Sequence, residues 1–157
     1  MLTLNTRIDT ASQVHDTLVL PWERRERCRM RATRASGEVV ALFLPRGAAL
    51  RHGDLLRGDD GRVVRVVAAP EPTYALRAAD PAVLARCALM LGRRRIAAEV
   101  LPWGLRIRAV PAVKTLMAAM GATVQEELAP FEPEDEPAHE AAARSGRAGP
   151  DLDIDGA

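Results

Sequence analysis

The residues of this 157-residue chain with most chemistry to offer are three histidines, two cysteines and a dense acidic stretch. His139 stands among Glu132, Glu134, Asp135, Glu136 and Glu140. An imidazole among carboxylates is a mixed nitrogen and oxygen donor set that could hold a divalent metal ion weakly. The other reading is a solvated acidic segment with one incidental histidine. His15, beside Asp16, and His52, in a turn signal, read as solvated loop histidines. Cys28 and Cys87 form no CxxC pattern and read as core thiols in a reducing compartment, not as a disulfide framework.

Enzyme chemistry finds no constellation. The serines are Ser12, Ser36 and Ser145, none within GxSxG, and there is no P-loop or HExxH. Gly58-Asp59-Asp60-Gly61 lacks the ligand spacing and terminal glutamate of a calcium loop. The expectation is a protein that is not an enzyme.

The elements that position these residues change character along the chain. Arg27–Thr33 alternates strictly, with Cys28, Met30 and Ala32 on one face and arginines on the other, which predicts a half-buried strand. Glu38–Leu44 and Arg62–Ala69 are further strands bounded by turn clusters, and Leu2–Leu4 and Thr17–Leu20 are shorter ones. Short strands at this spacing predict a small sandwich or barrel over residues 1–72. After Pro72, Tyr74–Ala78 reads as a strand. Asp80-Pro81 then opens a helix with an N-cap and a proline, and Gly92 is its expected C-cap. Arg95–Leu101 and Gly104–Arg108 read as strands, Pro111 to Gly121 as a helix and Ala122–Glu126 as a last strand. The order β-α-β-β-α-β over residues 73–128 predicts a ferredoxin-like module, and the class as a whole is α+β.

Charge divides the same way. Residues 1–124 carry 20 basic and 11 acidic side chains, whereas residues 125–157 carry 2 and 10, so a basic body precedes an acidic segment, 129–157, expected to be a flexible tail. All the basic residues but Lys114 are arginines. Five aromatics (Trp22, Phe43, Tyr74, Trp103, Phe131) are too few to stack single-stranded nucleic acid, so no nucleic-acid partner is expected. No apolar run approaches the roughly 20 residues of a membrane span, and the N-terminus shows no signal-peptide pattern. A soluble, cytoplasmic protein is expected.

From about Leu18 to Glu134 the chain resembles the UreE-type urease accessory proteins. The resemblance is carried by LFLPRG (Leu42–Gly47), the following HGD (His52–Asp54) and Ala129-Pro130-Phe131-Glu132-Pro133-Glu134. It implies a homodimeric nickel metallochaperone with a partner-binding first domain and a second domain that dimerises and holds metal. The implied partners are apo-urease and the urease accessory GTPase complex.

One stretch departs from that family. Where its members carry YHLGNRH, this chain has Leu89-Met90-Leu91-Gly92-Arg93-Arg94-Arg95. The implied nickel ligand is Arg95, and a guanidinium has five donors and no lone pair. Met90 stands where the first histidine would be, and its thioether suits copper(I) better than nickel(II). The start of the second helix, where some members carry histidines, reads Arg108-Ala109-Val110-Pro111. His139 is then the remaining metal candidate. Arginines 93–95, placed by the resemblance near a dimer axis, need an answering carboxylate, and the acidic tail is the expected source. The leading expectation is a nickel carrier and donor in urease maturation; the alternative is a metal-independent adaptor in the same assembly.

Overall fold

A computed structural model describes residues 1–135. His139 and the rest of the expected tail lie outside the described residues.

Six strands build the first sheet: β1 (Leu2–Ile8), β2 (Asp16–Leu20), β3 (Arg29–Thr33), β4 (Val39–Phe43), β5 (Leu55–Gly58) and β6 (Val63–Ala68), in the order β2-β6-β5-β1-β4-β3. The pairs β1/β4 and β2/β6 are parallel and the rest antiparallel. The sheet curls until its edges approach. Ala35 N donates to Thr17 O at 3.0 Å, and Arg34 Nε lies 3.5 Å from Asp16. Leu4, Leu18, Val40, Leu50, Leu56, Val64 and Val66 fill the barrel-like interior.

The alternation predicted for the third strand holds from Arg29. Arg27 and Cys28 precede it, because a short helix, α1 (Trp22–Arg25), occupies the charged run before them. Neither α1 nor β5 is visible as a periodic pattern; both are four residues long. β5 exists because it bonds on one side to β1 and on the other to β6.

The second sheet has the order β10-β7-β9-β8, all antiparallel, from β7 (Pro70–Arg77), β8 (Glu99–Leu101), β9 (Gly104–Arg108) and β10 (Thr123–Pro130). Helices α2 (Pro81–Arg93) and α3 (Pro111–Ala119) complete the strand-helix-strand-strand-helix-strand order. Tyr74, Leu76, Cys87, Leu91, Leu105, Ile107 and Met117 form their shared core. Asp80 caps α2 as expected, its carboxylate accepting from Ala82 N at 2.9 Å.

Two boundaries differ from expectation. Gly92 lies inside α2, and the left-handed residue that ends the helix is Arg95, with φ 56°. Arg95 N donates to Gly92 O and Ile96 N to Leu91 O, the paired bonds of a Schellman ending. That turn uses up residues 95–98, so β8 is shorter than the Arg95–Leu101 strand expected. At the other end, β10 pairs with β7 through to Pro130↔Pro70, and Phe131 is fully buried. Residues 129–135 therefore belong to the folded body and not to a flexible tail. Burial of one aromatic ring outweighs a Pro- and Glu-rich composition.

Candidate functional site

The segment Phe131–Asp135 bonds to both modules. Phe131 meets the Trp22 ring edge-on, centroids 6.2 Å apart, and Trp22 begins α1 because Glu71 accepts from its backbone N–H at 2.8 Å. One turn on, Arg25 is completely buried. Its Nε donates to Leu20 O at 3.0 Å, its Nη2 to Phe131 O, and its Nη1 to Glu132 and, at 3.4 Å, to Leu50 O. Burial lowers the Arg25 pKa and the Glu132 carboxylate opposes that shift, so the pair sustains the charge where water cannot.

The following residues reach the second sheet. Glu132 N donates to Glu99, Glu134 N to Ala98 O at 2.9 Å, and Val100 N to the Glu134 carboxylate at 3.1 Å. Pro133 and Glu134 thus lie along the edge strand β8, whose free backbone groups would otherwise be open. Asp135 pairs with Arg51 at 2.7 Å, and the Arg51 guanidinium lies 4.9 Å from the Trp22 ring centroid.

Beside this clamp is a cleft of about 590 Å³ between the modules. Trp22 and Glu26 line it from one side, Gly92 and Arg95 from the end of α2, and Glu134 and Asp135 from the clamp. Arg95, the residue at the implied ligand position, is exposed on its wall. Among the described residues, two of the acids expected to answer Arg93-Arg94-Arg95 pair elsewhere, Glu132 with Arg25 and Asp135 with Arg51; the rest of that segment lies outside the described residues.

His15 and His52 are exposed loop and turn residues, as expected, and each ring is also anchored to a neighbouring strand. His15 Nδ1 accepts from Val63 N at 3.0 Å while its own N donates to Val63 O. His52 Nδ1 accepts from Ala68 N at 3.1 Å, and its backbone N–H donates to Glu132. In each ring Nδ1 is taken up by a backbone N–H, so a metal binding there would have to displace that bond. Cys28 packs against the first core. Cys87 is buried in the second, and burial raises its pKa, holding it as an inert thiol. Met90 packs against that same core. Among the described residues no three His, Cys, Asp or Glu side chains converge on one point.

Trp22, Arg25, Arg51 and Glu99 escaped the reading of the sequence. The signal available was aromatic scarcity, since Trp22 and Phe131 are two of only five aromatic rings.

A barrel-like sheet clamped to a helix-covered sheet by its own C-terminal continuation defines a small two-module α+β protein, none of whose described helices is long and apolar enough to cross a membrane. Residues 3–69 match the family model for the UreE urease accessory protein N-terminal domain, and residues 71–151 that for its C-terminal domain. The chain is 52% identical to the urease accessory protein UreE of Janthinobacterium sp. (strain Marseille), over 85% of this chain and 79% of the relative. It is 54% identical to that of Nitrosospira multiformis, over 85% and 76%. The chain belongs to the UreE family of urease accessory proteins.

Proposed function

We propose that the chain works in urease metallocentre assembly as a cytoplasmic homodimer that carries nickel and delivers it to apo-urease with the accessory GTPase. In this reading the second module, a ferredoxin-like unit, forms the dimer, and the first presents a surface to partners. Nickel is cargo, held by His139 with neighbouring carboxylates beside Arg95, which cannot coordinate it.

One observation carries this reading: Asp135, the last described residue, lines the same cleft as Arg95. His139 follows it by four residues, a span of at most about 14 Å. An imidazole within that reach can stand in for the one missing at Arg95.

A metal-independent adaptor is the second reading, favoured by Arg95 itself and by the occupied Nδ1 atoms of His15 and His52. Calorimetric titration of nickel into the intact chain and its His139→Ala variant separates the two. Binding lost in the variant supports the carrier with its site at His139. Binding that survives moves the site elsewhere, and no binding by the folded wild-type chain leaves the adaptor.

A further inference from the structure

The outer face of the β3–β4 pair sets an apolar column beside a cationic one. Val39 and Phe43 are 44% and 55% exposed, with Ala41 half-buried between them. The register places Phe43 opposite Arg29, Ala41 opposite Arg31 and Val39 opposite Thr33. The Arg29 guanidinium lies 4.3 Å from the Phe43 ring centroid, so the two columns touch. Among the described residues Arg25, Arg34 and Arg51 each meet a carboxylate, whereas Arg29 and Arg31 do not. The core of the module lies on the other face of these strands, so its packing does not require Phe43 or Val39 here.

An extended segment laid along this face sends successive side chains alternately to either side, with every second one about 7 Å apart. That is the spacing of the side chains within each column. A segment alternating carboxylates with aliphatic residues therefore sets its acids on the arginines and its aliphatics on Phe43, Ala41 and Val39. The chain contains such a segment, Asp151-Leu152-Asp153-Ile154-Asp155, outside the described residues.

We propose that residues 151–155 dock on the outer face of β3 and β4 of the same chain, their aspartates against Arg29 and Arg31 and Leu152 and Ile154 against the apolar column. The starting point is close. Asp135 is bonded to Arg51 beside Trp22, and from the same short helix Arg24 donates to the backbone carbonyl of Arg31. The sixteen residues from Asp135 to Asp151 can span about 50 Å. The competing basic surface, Arg93-Arg94-Arg95, is a helix end and a turn. Its exposed apolar neighbour Leu89 follows helical spacing, which an alternating segment does not match.

The test compares backbone amide spectra of the intact chain with those of an intact D151N/D153N/D155N variant. Differences are expected at Arg29–Thr33 and Val39–Phe43, unchanged on about tenfold dilution, because the contact is within one chain. An added peptide of sequence DLDIDGA is expected to bind the triple variant at least about tenfold more tightly than wild type, whose face is already occupied. Adding R29Q/R31Q, two exposed positions, is expected to abolish that binding. Spectra without differences on β3 and β4, or with differences confined to Arg93–Arg95, would overturn the proposal. So would differences that fade on dilution, which would give the face to a second copy.

Discussion

Arg25, wholly buried in the first module, is ion-paired with Glu132, 107 positions further along the chain. No other contact described here joins such distant parts through a charge without access to water. It makes the C-terminal segment a structural member of both modules: the same five residues that satisfy Arg25 also bond to β8 through Glu134.

Glu132→Gln keeps the acceptor for His52 N but removes the negative charge that faces Arg25. A charge-assisted hydrogen bond to a buried guanidinium contributes about 2 kcal/mol, and a loss of that size is expected in urea denaturation. An unchanged midpoint would mean that the carbonyls of Leu20, Leu50 and Phe131 suffice to hold the charge.

Phe131→Ala is expected to cost more, about 3–5 kcal/mol, because the ring is fully buried against Trp22. The loss falls on the clamp, so the two modules are expected to unfold in separate steps. Trp22 reports on the clamp and Trp103 on the second sheet, so fluorescence of single-tryptophan variants during thermal unfolding would show one transition in wild type and two in the variant. Coincident transitions in the variant would assign the coupling to other contacts.

The parts legible in the sequence are those set by neighbours along the chain. Asp80-Pro81 starts α2 through bonds within one turn, and Gly121, with φ 100°, ends α3 the same way. The alternation of Arg29–Thr33 reports directly which face is buried. What stayed hidden depends on distant partners. Leu55–Gly58 is a strand through β1 and β6, and Arg25, in the run Glu23-Arg24-Arg25-Glu26-Arg27, looks like a surface charge until Glu132 and Phe131 O meet it. Arg95 in a left-handed conformation was likewise unreadable, because Gly92 offers the more usual helix ending.

Stability should fall with acid through Asp16. The hydroxyl of Ser36 donates to its carboxylate, and this bond, ahead of the backbone N–H of Thr17 and the charge of Arg34, lowers its pKa below the ordinary 3.8, against the opposing effect of burial. A carboxyl whose folded pKa is depressed contributes stability that is full well above 3.8 and is lost as the pH falls through that value toward the folded pKa. Asp16→Asn is expected to flatten the pH dependence of the urea midpoint between about pH 5 and pH 3. A slope equal to that of wild type would remove Asp16 from the account of how the barrel edges are held.

Gly104 starts β9 where a Cβ would lie 2.1 Å from the Leu76 carbonyl oxygen. Neither atom has room to move, since Leu76 pairs with Leu105 in the centre of the second sheet. Gly104→Ala is expected to destabilise by about 2–3 kcal/mol, whereas Gly47→Ala, with open space around it, should leave the midpoint unchanged. Equal effects of the two would show that the hairpin between β8 and β9 yields readily.

Arg95→His tests both the dimer and the cargo. Histidine tolerates the left-handed conformation better than most side chains, so the Schellman ending of α2 should survive. A single exposed imidazole holds nickel weakly; two, one from each copy across a dimer axis, hold it far better. The variant is therefore expected to bind one nickel per two chains, at least about tenfold more tightly than wild type, read by calorimetry. Adding His139→Ala shows whether the tail imidazole contributes to the same ion, as it should if it stands beside Arg95. No gain in affinity, or a gain at one nickel per chain, would mean that the ends of two α2 helices do not meet, and the homodimer arranged around Arg95 would have to be abandoned.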